Sequence, residues 1–133
     1  MTRFIFFFTI FVCFISCNGS SGYSKAEDAQ DAGREFIRAS LDGNYNKALF
    51  YLLKDSTNTN VMLLEKWKKD YNRRKEEDKV NFKEANIIVI REEPVSDSMV
   101  NFIYTNTYEP KDTTTIKIIR VNNEWLVDLK DIH

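Results

Sequence analysis

The sequence predicts an α+β fold in which N-terminal helices pack on a four-stranded antiparallel sheet. Three observations carry that expectation. Apolar residues recur at three- and four-residue spacing from Ser24 to about Lys79, which is the period of amphipathic helices. From Val80 onward they alternate with a period of two, which is the period of strands. Neither half repeats or falls into low complexity, so helices followed by a meander form one α+β unit.

The amino terminus precedes that unit. After Arg3, the run from Phe4 to Ile15 has only Thr9 as a polar residue. A bilayer-spanning helix needs about 20 apolar residues, whereas a secretory signal needs roughly 7 to 15. Residues 1–16 are therefore expected to be a cleaved signal peptide, residues 17–23 a tether, and residues 24–133 the folded domain. Phe14-Ile15-Ser16-Cys17 resembles a bacterial lipobox, with a bulky apolar residue three positions before the cysteine and a small one directly before it. That resemblance implies lipidation of Cys17: a diacylglyceryl group on the thiol and an acyl chain such as palmitate on the amine. Two or more chains anchor stably where one does not.

Removing this leader changes the composition. Of the 19 basic and 20 acidic residues only Arg3 is lost, so the mature chain stays slightly acidic and is not a bulk polyanion binder. Cys13 leaves with the leader and Cys17 is acylated, so no thiol remains for a disulfide, a thiolate metal site or a nucleophile.

Within the domain, Ser24-Lys25-Ala26-Glu27 fits a capping box, followed by Ala29, Ala32, Phe36, Ile37 and Leu41 on one helical face. Gly43 supplies a left-handed stop. Asn44 opens a second, shorter helix with Ala48, Leu49, Leu52 and Leu53 inward, and the polar stretch from Asp55 to Asn60 is a loop. A third helix is expected from Val61 to about Lys79, because Glu65–Lys69, Lys66–Asp70, Arg73–Glu77 and Arg74–Asp78 are opposite charges four residues apart.

Val80 to Arg91 is expected as a long strand, with Phe82, Ile88 and Ile90 on one face and Ala85, Ile87 and Val89 on the other. Glu92-Glu93-Pro94 to Asp97 then turns the chain. Met99 to Tyr108 forms the next strand, with Val100, Phe102, Tyr104 and Tyr108 on one face and Ile103 opposite, and Glu109 to Asp112 turns again. Thr113 to Lys130 reads as a terminal hairpin about Asn122-Asn123, since asparagine tolerates the positive φ of a primed turn. Trp125, Val127 and Leu129 are expected to face the helices, with Arg120, Leu126 and Asp128 outside. Strands apolar on both faces need cover on both. Helices supply one side; the other needs a curled sheet, a second subunit or a ligand.

Three stretches together resemble a known family: Phe36-Ile37-Arg38-Ala39 through Asp42-Gly43-Asn44-Tyr45, then Lys83 to Val89, then Asn122-Asn123-Glu124-Trp125-Leu126-Val127-Asp128-Leu129. The resemblance is to small Bacteroidetes lipoproteins carrying a domain of the nuclear transport factor 2-like superfamily, which also contains ketosteroid isomerases and polyketide cyclases. It implies a cone, with helices on the concave face of a curved sheet, a cavity at the wide end, and often a homodimer through the outer face. The absence of an acidic run after Cys17 implies, by resemblance to Bacteroidetes export signals, an outer-membrane lipoprotein facing the periplasm.

Residues expected to line such a cavity are Trp67, Tyr71, Phe82 and Ile88, together with Ile90, Phe102, Tyr104 and Trp125. Each also suits plain core packing. Isomerase-like members pair a carboxylate base with a phenol, and the nearest pieces here are Tyr104 and Asp128. Asp128, however, is out of phase with Trp125 and Val127, which suits solvent or a pair with Arg120 or Lys117 across the hairpin. The run from Lys66 to Lys75 mixes basic and aromatic residues, but its acidic neighbours suit a solvated helix face better than nucleic acid. His133 is the sole histidine and the last residue. No metal or cofactor is expected. Three functions remain open: a non-enzymatic binding module for a small apolar ligand or a partner protein, an isomerase- or cyclase-like enzyme, and a structural envelope lipoprotein.

Overall fold

The computed structural model describes residues 22–130; the expected signal peptide, Cys17 with its expected lipidation, and His133 lie outside them. The first helix, α1 (Ala29–Leu41), begins one turn later than the Ser24 box would place it. Asp28 is the cap instead. Its carboxylate accepts from the Asp31 amide at 2.8 Å while Asp31 accepts from the Glu27 amide at 3.0 Å, so the reciprocal logic of the box holds four residues downstream. A carboxylate outcompetes a hydroxyl at a helix amino terminus because it also meets the helix dipole. The Ser24 carbonyl is engaged elsewhere, accepting from the Tyr51 hydroxyl at 2.7 Å.

At its other end α1 stops in a Schellman arrangement: Gly43 has φ of 72°, its amide donates to Ser40, and the Asn44 amide donates to Ala39. Asn44 then caps α2 (Tyr45–Phe50) through its side chain. Next comes α3 (Thr59–Asn72), whose amino terminus is capped from a distance, because the Asp55 carboxylate accepts from the amides of Thr59 and Asn60 at 3.1 and 3.0 Å.

The expected single helix from Val61 to Lys79 is two helices, and the expected strand from Val80 begins late. The chain breaks at residues 73–75, and α4 (Glu76–Glu84) follows. The Arg73–Glu77 and Arg74–Asp78 pairs do not form. Glu76, Glu77 and Asp78 instead occupy the first turn of α4, where negative charge is favoured, while Arg73 meets Asp70 at 3.6 Å and Arg74 meets Glu109 at 3.3 Å. The spacing of Val80, Phe82 and Ala85 suited either period. Tertiary contacts decide it as a helix: Phe82 is buried, and Arg38 caps the last turn.

Four antiparallel strands complete the domain in the order β1 (Ile87–Ser96), β2 (Met99–Asn106), β3 (Thr114–Val121) and β4 (Glu124–Asp128). The expected turn at Glu92-Glu93-Pro94 is strand, with Pro94 opposite Val100. Proline is tolerated there because β1 is an edge strand, and the chain reverses at Asp97-Ser98 instead. The last hairpin turns at Asn122 and Asn123, with φ of 50° and 60°, both positive as a type I′ turn requires.

Gly33 lets α1 cross the sheet closely: a Cβ there would sit 2.9 Å from Ile118 Cδ1 and 3.3 Å from Phe102. Around this crossing Phe36 and Ile37 pack against Phe102, Ile116, Ile118 and Val127, all essentially inaccessible. The free edge of β4 is covered by the chain leaving α2, since Leu53 donates to Val127 and Val127 donates to Tyr51, both at 2.8 Å. The sheet does not close on itself.

Candidate functional site

A cavity of about 260 Å³ opens between the helices and the far end of β2 and β3. One wall is apolar and aromatic: Ile37 and Leu41 from α1, Tyr45 from α2, Trp67 and Tyr71 from α3, Phe82 from α4 and Tyr104 from β2. The other end is polar, with Asp70 from α3 and Arg74 from the break after it facing Glu109 and Asp112 from the loop after β2.

Local structure explains each position. Gly43 sits directly behind Tyr71; a Cβ there would lie 2.6 Å from the ring and its hydroxyl, so the glycine turn seats this phenol. The Tyr45 hydroxyl donates to the Trp67 carbonyl at 3.3 Å, and the Tyr45 and Tyr71 rings meet edge to face at 5.9 Å. The loop bearing Glu109 and Asp112 is folded back onto its own strand. Asn106 Oδ1 accepts from the amides of Tyr108 and Glu109, and the Thr105 hydroxyl lies 2.9 Å from the carbonyls of both Glu109 and Asp112. Across the gap, the Arg74 guanidinium stacks 4.5 Å from the centre of the Phe82 ring and 3.3 Å from the Glu109 carboxylate, while Phe82 meets Tyr108 edge to face at 4.9 Å.

Burial controls the titration of these groups. It pushes the Tyr45 hydroxyl up to about 12, helped by neighbouring Tyr71. It also raises Tyr104, against a hydrogen bond from Thr114 that acts in the opposite sense. The phenols are therefore neutral donors at ordinary pH. Glu109 is raised from the ordinary carboxylate range, first by burial and then by a hydrogen bond with Asp112.

Of the residues expected to line a cavity, the structure brings together Trp67, Tyr71, Phe82 and Tyr104. Phe102 is fully buried in the main core, beneath α1. Trp125 is half-buried at the other end of the sheet, with the Arg120 guanidinium 5.9 Å from its ring. Ile88 and Ile90 are 39 % and 50 % exposed. Their partners explain why: Ile87 and Val89 are the residues packed against the core, and a bulge at Ile90 interrupts the register. The grouping of Phe82 with Ile88 and Ile90 assumed one continuous strand, and the α4 helix removes that assumption.

Asp128 is not in the cavity either, nor is it in solvent. It is buried at 3 % exposure, accepts from Asn60 Nδ2 at 3.1 Å and from the Lys130 amide at 3.0 Å, and lies 3.7 Å from Lys117. Its role is to join β4 to the start of α3. Tyr104 thus has carboxyl neighbours of a different origin, Glu109 and Asp112, which sequence reasoning placed only in a turn. No residue spacing signals them, because the loop joins the site by folding back through Thr105 and Asn106. Tyr45, Asp70 and Arg74 were likewise legible only as helix residues.

Among the described residues no group of three or more histidine, cysteine, aspartate or glutamate side chains is arranged to hold a metal ion, and no helix is long and apolar enough to cross a membrane. No family model and no curated protein matches the chain. Among solved structures it is similar to an NTF-2 like protein of unknown function from Shewanella oneidensis, at 11 % identity over 72 % of this chain and 88 % of that one, with a TM-score of 0.49.

Proposed function

We propose that this domain is a binding module whose cavity takes a small, largely apolar ligand, and that a lipid on Cys17 holds it in the bacterial cell envelope, facing the periplasm. The observation that carries the binding reading is the cavity's division into an aromatic wall and a polar end. Binding sites for small molecules are concave and mostly apolar, with a few polar groups that orient the ligand. A purely structural cone would be filled instead. Titrating the domain with 1-naphthol tests the reading by chemical-shift mapping. Shifts at Tyr71, Tyr104 and Thr114 support it; shifts confined to the outer face of the sheet, or none, overturn it. The anchor is tested separately by palmitate labelling of the full chain in bacteria, with label lost in Cys17→Ser. Label retained in that variant ends the proposal for Cys17.

A second reading, an isomerase- or cyclase-like enzyme, draws on one observation: a phenol, Tyr104, and a raised carboxyl, Glu109, line the same cavity. A weakened acid is a better base near neutral pH. Turnover of a β,γ-unsaturated ketone that disappears in Glu109→Gln supports this reading, and turnover unchanged in that variant removes Glu109 from it.

A further inference from the structure

We propose that the ligand class of this cavity is a small organic cation, an aryl- or alkylammonium whose apolar body lies among the rings and whose charge lies beside Glu109 and Asp112. The inference rests on the cavity being a small-molecule site.

Charge balance is the first argument. The polar end holds three carboxylates, Asp70, Glu109 and Asp112, against one lining cation, Arg74. Arg74 is engaged by Glu109 at 3.3 Å, and Asp70 meets Arg73 at 3.6 Å on the exposed side of α3. Asp112 forms no ion pair among the described residues, and it lines the cavity together with Glu109. An entering anion would add to an existing excess of negative charge, whereas an entering cation relieves it. Neighbouring carboxylates repel one another, and a ligand cation beside Glu109 and Asp112 offsets that repulsion.

The second argument is independent of the carboxylates. Two of the aromatic walls already carry cations on their faces: Arg74 lies 4.5 Å from the Phe82 centroid, and Lys79 Nζ lies 5.6 Å from that of Tyr71. The negative face of a ring attracts positive charge, most strongly where water is excluded. The rings here are thus placed to act on cations, and Trp67 and Tyr45 extend the same surface inward. Rings and carboxylates on opposite sides of one cavity select an apolar ammonium over a neutral or anionic molecule of the same shape.

Three phenyl probes of similar size and different charge test this by calorimetry and chemical-shift mapping on the domain: benzyltrimethylammonium, benzyl alcohol and phenylacetate. The expected result is that the cation binds about tenfold or more tightly than the other two, a difference in the range of a partly desolvated cation–π contact. Asp112→Asn and Glu109→Gln are each expected to reduce that preference about fivefold, and Glu93→Gln, on the outer edge strand, to leave it unchanged. Equal binding of the three probes, or a preference for phenylacetate, overturns the cation assignment while leaving the cavity as a binding site. Failure of all three to shift Tyr71 or Tyr104 overturns both. The probe ranking is read on the unaltered protein, so it stands whether or not a variant folds.

Discussion

The guanidinium of Arg38 on α1 donates to the carbonyl of Ala85 at 2.7 Å, bridging 47 residues of chain. The same side chain reaches the carbonyls of Phe82 and Lys83, each at 3.1 Å. These carbonyls lie at the end of α4, where a cation both hydrogen-bonds and complements the helix dipole. One residue therefore ends α4, docks it on α1 and starts the chain into β1.

Arg38→Ala is expected to cost about 2 kcal/mol, within the range for charged hydrogen bonds of a partly exposed group. The Asp42 ion pair at 3.0 Å adds little to this, because both partners are about one-third exposed. Urea denaturation gives the number, and amide exchange in residues 76–84 should accelerate more than in α1. Unchanged exchange in α4 would mean that its docking comes from Phe82 alone.

A second long-range pin joins α3 to β4. Asn60 is completely buried; it donates to Asp128 at 3.1 Å and accepts from the Leu129 amide at 2.8 Å. Asn60→Leu leaves a buried amide unpaired and a buried carboxylate less well satisfied, so the expected loss is about 3 kcal/mol. A loss below about 1 kcal/mol, read from the same denaturation curves, would show that water or Lys117 takes over the missing bonds.

Gly43 links the fold to the cavity. Any side chain at φ of 72° is strained, and a Cβ would meet the Tyr71 ring at 2.6 Å. Gly43→Ala is expected to destabilise by about 2 kcal/mol from backbone strain and the forced shift of the ring. Because Tyr71 and Trp67 line the same cavity, the tryptophan emission maximum should move in this variant. Stability lost without a change in emission would confine the effect to the turn.

Acid sensitivity is expected to centre on Asp55. Its carboxyl is held well below the ordinary carboxylate range, first by the Thr57 hydroxyl and then by the backbone amides of Asn60 and Thr59. A carboxyl depressed in the folded state stabilises the fold fully above its unfolded pKa, and that contribution fades as pH falls through the lower folded value. Thermal melts across the acid range should therefore show the wild type losing stability steeply toward low pH, and Asp55→Asn losing less. Parallel curves for the two proteins would remove Asp55 as the source.

The outcome along the chain separates short-range from long-range causes. The stop at Gly43, the cap at Asn44, the asparagine turn at 122 and 123 and the α+β order were all readable, because each depends on one residue's allowed φ or on its neighbours within a few positions. The helix at Val80 to Glu84 was not. Its apolar spacing fits both periods, and the deciding interactions come from Arg38, Arg74 and Tyr108, each remote in sequence or reached only after a chain reversal.

The site divides in the same way. Trp67, Tyr71, Phe82 and Tyr104 could be named from the sequence as large apolar groups needing burial, since burial follows from side-chain chemistry. Which of them line a cavity and which fill the core depends on where α1 crosses the sheet at Gly33, a packing relation between distant segments. The polar end depends on tertiary structure altogether: Glu109 and Asp112 face Arg74 only because Thr105 and Asn106 fold their loop back over the mouth of the cavity. By itself the sequence determined the class of fold and the turns that punctuate it. The three-dimensional packing decided which side chains meet, because electrostatic and aromatic contacts act through space across residues that no local pattern connects.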